Sequence, residues 1–317
     1  MNVDRASTAG QAQYLLQQIQ TASQQLQQTQ DQVASGKVAT DYSGLGDKVA
    51  VLEAARTAAN KADAYQQNTT IAVNQADLQD SQLSSLSDLA NQLRQAITTS
   101  VANNDGTTLM ATAQGIFDQV SQILNTKDAN GNYLYGGDKD DTPPLNVTSL
   151  SQLAALPSAA NAFSNGTLKK SVMVGDGQSV QVGVLASDIG SGLMQTLKDL
   201  AGFDAGASGN FAGTTSLTQA QNTFLTNEIP TSIDAATGVN NAAASNGFVY
   251  NQLKDASDHQ SSLSTMYQTF VSNIEDVDMP TAISKLNQNQ VALQAALQVT
   301  AQLNSVSLLN YLPAATG

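Results

Sequence analysis

The chain holds one histidine, His259, and no cysteine. Thiolate nucleophiles, thiolate metal sites and disulfides are excluded at once. A histidine base or ligand needs partners, an acid and a nucleophile for acyl transfer or further donors for a metal. None stands at a legible spacing around His259, which lies beside Gln260 in a helical repeat and reads as an exposed helix-face residue. Gly36-Lys37 resembles the end of a phosphate-binding loop, but Asp31 stands where the first glycine belongs and Val38 replaces the hydroxyl that would hold Mg²⁺. Asp128, Asn130 and Gly131 resemble a calcium loop with its glycine too early, so turn chemistry accounts for them better. Asp138, Asp140 and Asp141 beside Pro143 and Pro144 form an acidic group of the kind that caps a solvated loop. No catalytic, cofactor or metal site is expected, and the chain is not read as an enzyme.

The bulk charge removes further classes. A formal net charge of −13 and a pI near 4.2 leave no basic cluster beyond Lys169-Lys170, whereas a nucleic-acid surface needs clustered Lys and Arg. An interfacial membrane helix would carry cations on its polar face, and no window is apolar enough to span a bilayer. Nucleic acid and membrane are set aside as partners. Met1 to Gln20 lacks the apolar run of a Sec signal.

What the sequence does carry is helical periodicity at both ends. Leu15, Ile19, Ala22, Leu26, Thr29 and Val33 advance in steps of 4 and 3, a heptad seam that Gly36 stops, and Tyr42 to Gly46 reads as a loop. A second helix is expected from near Asp47 past Ile97, with the seam Ala72, Ala76, Gln79, Leu83, Leu86, Ala90, Leu93, Ile97. Asn103 to Gly106 ends it, a third helix follows through Leu109, Ala113, Ile116, Val120 and Ile123, and Asn130-Gly131 marks a turn. Between 138 and 213 Gly, Pro, Asn and Ser become frequent. There Val172 and Val174, then Val180, Val182 and Val184, flank Gly175-Asp176-Gly177 as a β-hairpin, and a short helix is expected around Ile189 to Leu200.

Helical spacing returns at Thr218 to Val239, where Pro230 is expected to kink or divide the helix. The cleanest seam is Val249, Leu253, Ala256, Gln260, Leu263, Tyr267, Phe270, Ile274. Asp278 suits an N-cap and Pro280 a first turn for the last helix. That helix carries two stripes, Ile283, Leu286, Leu293, Leu297 and Ala292, Ala296, Val299, Leu303, Val306. The fold class expected is mainly α: an elongated antiparallel helical bundle or coiled coil from both chain ends, with a small β-containing insertion in the middle. The expected parts are 1–40 with 280–317 as a terminal coiled-coil assembly domain, 41–137 with 214–279 as a helical bundle, and 138–213 as an outward-facing insertion.

Both end segments lack charge. Ala6 to Gln30 and Leu286 to Gly317 contain no Asp, Glu, Lys or Arg, although exposed helices normally rely on charge for solubility. A buried charge costs several kcal/mol while an amide can be satisfied by another amide, so charge-free faces suit self-packing. The expected assembly interface is Leu15, Ile19, Leu26, Val33, Leu286, Leu293, Leu297, Val299, Leu303, Val306, Leu309 and Leu312. With about one large aliphatic per five residues, an isolated end helix is marginal. Ordering of the ends on assembly is therefore expected, and limited proteolysis of a verified monomer checks it.

Val33-Ala34-Ser35-Gly36-Lys37-Val38 with Asp41-Tyr42-Ser43-Gly44 near the start, and Gln294-Ala295-Ala296 through Val306-Ser307-Leu308-Leu309-Asn310-Tyr311-Leu312 at the end, resemble the N-terminal signature and the ending of the flagellin superfamily. Asn130-Gly131-Asn132-Tyr133-Leu134-Tyr135-Gly136-Gly137 and Thr142-Pro143-Pro144 are similar to a segment of the hook-filament junction members. The resemblance implies an extracellular structural subunit of the bacterial flagellum, polymerising through its terminal helices. It implies as partners copies of itself, neighbouring hook-associated protein and flagellin subunits, a flagellar export chaperone and the type III export apparatus. A junction role between hook and filament is favoured by Tyr133 to Gly137. Filament flagellin is the alternative, and a cell-surface glycan-binding homologue a lower one, having few aromatics beyond Phe163, Phe203 and Phe211 in its middle.

Overall fold

The computed structural model describes the backbone of residues 2–309, and the side chains of 10 and 13–302. It is mainly α: α1 (Asn2–Ser35), α2 (Val49–Asn103), α3 (Leu109–Leu124), α4 (Leu150–Ala155), β1 (Lys170–Gly175), β2 (Gln178–Val182), α5 (Ala186–Asp204), α6 (Gln219–Glu275) and α7 (Met279–Leu309). Among the described residues no helix is long and apolar enough to cross a membrane. The chain forms two compact units, one of Met1–Lys61 with Leu263–Gly317 and one of Ala62–Ser262.

In the unit made from the chain ends, α1 packs along α7. Gly36 ends α1 with a left-handed backbone (φ +72), its N–H donating to the Gln32 carbonyl at 2.9 Å, as a helix-terminal glycine does. Tyr42–Lys48, expected as loop, is a pair of 3-10 turns broken at Gly46 and started by Asp41, whose carboxylate accepts from the Gly44 N–H. Leu45, Leu52, Ala55 and Ala59 are buried here. The Asp278 carboxylate takes the Thr281 hydroxyl, and its carbonyl the Ala282 N–H, at the expected start of α7.

The second unit contains the main core. Leu83, Leu86, Leu93 and Ile97 of α2, Leu109, Ala113, Ile116 and Val120 of α3, and Ile189, Leu193, Leu197 and Leu200 of α5 share one cluster with Leu145, Leu150, Leu153 and Leu225. The 145–203 segment thus contributes to the same core as α2 and α3, and α5 extends beyond the helix expected there at both ends. The hairpin forms as expected, antiparallel with Val172 opposite Val180 and a turn at Asp176-Gly177. Its Val174, Val180 and Val182 pack on Ala72 and Ala76 of α2 and Leu253 of α6. The polar position Gln260 in the α6 seam finds its partner there, donating to the Val174 carbonyl at 2.8 Å.

Of the two outcomes expected at Pro230, division of the helix does not occur. α6 runs through it without interruption, because the flanking Leu225, Ala235 and Ala236 are buried in the core and tertiary packing outweighs one lost backbone bond.

Candidate functional site

The residues that resembled chemical motifs are held by ordinary structure. His259 is exposed on α6. The Asp128 carboxylate accepts the backbone N–H of Asn130 at 2.8 Å and of Asn132 at 3.0 Å, which is turn capping. Asp138 accepts the Leu168 N–H at 3.0 Å, a bond that lowers its pKa, and Asp140 pairs with Lys170. Among the described residues no group of three or more acidic or His side chains is placed to hold a metal ion.

The Tyr133 to Gly137 segment is a packing device. Tyr135 is fully buried and its hydroxyl donates to Gln82 Oε1 of α2 at 2.5 Å. Gly137 has φ +67, and a Cβ there would lie 2.6 Å from Leu185 Cδ2 and 2.8 Å from the Leu168 carbonyl oxygen. No other residue fits that backbone and that space.

The α1–α7 pair is where exposed apolar surface and missing charge coincide. On α1 the heptad positions Leu15, Ile19, Ala22, Leu26 and Val33 are half-buried and Thr29 is buried. On α7 the inward positions are Ala282, Leu286, Asn289, Leu293, Ala296 and Thr300, a single seam that draws on both expected stripes and includes two polar residues. Asn289 Nδ2 lies 3.3 Å from the Gln25 carbonyl oxygen and from Thr29 Oγ1, so an amide fixes the pairing from inside. Of the other described α7 residues, Val291 is 66% exposed, Leu297 50%, Val299 46% and Ile283 44%. Leu16 and Tyr14 are likewise exposed on α1. Of the expected interface, the side chains of Leu303, Val306 and Leu309, and Leu312 altogether, lie outside the described residues.

A charged knot closes this unit at the other end of the pair. Glu275 Oε1 accepts from Lys37 Nζ at 2.6 Å and Arg56 Nη2 at 2.7 Å, and Arg56 also meets Glu53 and the Tyr42 hydroxyl at 3.3 Å. The backbone doubles the link: Val38 N–H donates to the Glu275 carbonyl at 2.7 Å and Val277 N–H to that of Gly36 at 2.9 Å. The Lys37 bond, then Arg56, hold the Glu275 carboxyl below its ordinary pKa against some desolvation. Sequence reading missed this knot, since its members lie 219 and 238 positions apart. The one local signal was a Lys after the helix-stopping Gly36. Beside it, an open groove of about 380 Å³ is lined by Gln24, Gln28, Asp31, Lys37, Thr40 and Asp41.

Residues 231–312, which take in α7 and most of α6, match the family model of the bacterial flagellin C-terminal helical region. Among solved structures, one described as a flagellar hook-associated protein from Vibrio parahaemolyticus is similar with a TM-score of 0.57 at 15% identity, over 74% of this chain and 99% of that one. The Bacillus cereus FlgL structure is 14% identical over 63% of this chain and 98% of its own, with a TM-score of 0.42. No curated protein matches by sequence. Residues 231–312 are thus similar to the flagellin C-terminal helical region, and the fold is similar to that of the Vibrio protein.

Proposed function

We propose that this chain is a non-enzymatic structural subunit of the extracellular bacterial flagellum, and that its place is the junction between hook and filament. The observation that carries the structural role is the exposure of Ile283, Val291, Leu297 and Val299, spread around a helix with no charge after Lys285. Exposed large apolar side chains on several sides of an uncharged helix suit burial against more than one neighbour. Covering them requires no desolvation of ions, so copies of the same α1–α7 pair suit them. The family match over α7 and the fold shared with a hook-associated protein support the reading. On it, 1–40 with 280–317 form the inner assembly layer, with Leu15, Ile19, Leu26 and Val33 pairing to α7 and Leu297, Val299, Leu303, Val306, Leu309 and Leu312 serving neighbouring copies. Residues 41–137 with 214–279 form the next layer, and 138–213 face outward. Hook-associated and flagellin subunits are the neighbours, and an export chaperone and the type III apparatus deliver the chain.

Filament flagellin is the second reading, favoured by the matched family being flagellin's own C-terminal region. Deletion of the gene with electron microscopy of the cells separates the two when combined with immunogold labelling. Hooks without filaments and label confined to one short zone are expected for the junction. Label along the whole filament supports flagellin, and intact filaments in the deletion strain overturn both.

A further inference from the structure

The antiparallel packing of α5 on α6 places two carboxylates opposite each other in the second unit. Gly192 meets Ala235 so closely that a Cβ on Gly192 would lie 3.0 Å from Ala235 Cα. Phe203 stacks on Phe224 with ring centroids 4.0 Å apart and 5° between planes. Each step forward on α5 between these two contacts is matched by an equal step back on α6, and that register sets Asp199 against Glu228. Gln195 Nε2 holds Asp199, donating to its two oxygens at 2.9 and 2.7 Å. Glu228 is only 9% exposed, and its Oε2 is buried without a hydrogen-bond partner. A buried unpaired carboxylate is unstable; the usual resolution is to keep its proton.

The helix is also weakest here. Pro230, two residues on, has no N–H to give the Thr226 carbonyl, so one turn of α6 lacks a backbone bond. The charged group that acts on Glu228 is Asp199. Burial first, and the Asp199 charge second, raise its pKa to about 7.

We propose that Glu228 and Asp199 form a proton-operated clasp between α5 and α6, closed while Glu228 is protonated and released when it ionises. The sign follows from the direction of the shift. Glu228 holds its proton more tightly folded than unfolded, so the contact is fully stable below the unfolded value of 4.5 and weakens as pH rises through about 7. Ionisation against Asp199 drives residues 219–232 away from α5, starting at the turn that Pro230 weakens. The clasp lies wholly within the second unit and is independent of the flagellar reading.

Hydrogen exchange of the full-length protein, followed by mass spectrometry of peptides covering 219–235 and corrected for intrinsic rates, tests it between pH 5.5 and 8.5. In the wild type the opening equilibrium of this segment is expected to rise about ten- to a hundredfold over that range, while peptides from α3 stay unchanged. E228Q, an uncharged isostere, should show protection that does not vary with pH. D199N should move the transition to lower pH and shrink it, and it keeps the test open if E228Q folds poorly. A flat wild-type profile, or a pH dependence that D199N and E228Q leave unaltered, overturns the clasp.

Discussion

Glu275 shows how much of the first unit rests on single side chains, since one carboxylate oxygen receives both Lys37 and Arg56. E275Q is expected to cost about 1 kcal/mol at pH 7, allowing for solvent screening of its partners. Its folded pKa is depressed, so the ionic contribution is present above 4.5 and fades as pH falls below that value. Urea titrations of wild type and E275Q should therefore differ at pH 7 and converge near pH 3. In the second unit, Y135F removes a hydroxyl that donates to Gln82 in a fully buried position and is expected to cost about 1–2 kcal/mol by thermal or chemical denaturation. G137A should be worse than either, because φ +67 and the Leu185 and Leu168 atoms act together against a Cβ; a loss of about 2–4 kcal/mol is expected. The neighbouring Tyr133, only half-buried with Lys127 4.7 Å from its ring centroid, should tolerate Phe.

At the scale of elements, Pro230 is exposed within a continuous helix, so P230A restores a backbone bond without opening a cavity. The variant is expected to be more stable by about 1–3 kcal/mol, read as a rise in melting temperature. The sequence pattern supplied the existence of nearly every helix because heptad steps, Gly36, Asn104 and Asp278 are local signals. It supplied the hairpin too, through alternating valines around a Gly-Asp-Gly turn. That α6 passes Pro230 undivided was not legible locally, because the burial of Leu225 and Ala235 that carries the helix through comes from the core they share with α2, α3 and α5. The α7 seam was only half legible: periodicity offers two stripes, and Asn289 and Thr300 become seam residues only once Thr29 and Gln25 are placed opposite. The Glu275 knot and the Asp199–Glu228 pair depend on partners far away or on helix register, which no window of sequence contains.

For the molecule as a whole, the division of α7 into an inward seam and exposed apolar residues on its other sides makes folding and assembly separable. L297E with V299E leaves the inward seam intact and should change monomer stability by less than about 0.5 kcal/mol, yet abolish incorporation into flagellar structures seen by electron microscopy. L286A with L293A should instead weaken the α1–α7 pairing itself, measured as faster exchange of both helices. The two units also differ in how the chain reaches them. Residues 62–262 are one continuous stretch, while the other unit joins 1–61 to 263–317. Closing a loop of some two hundred residues costs on the order of 5 kcal/mol in chain entropy before any contact across it is made. Once 62–262 has condensed, that loop is already short-circuited. Refolding is therefore expected in sequence, with amides of α3 and α5 protected before those of α1 in pulse-labelled exchange, so that the two chain ends are the last parts of the molecule to meet.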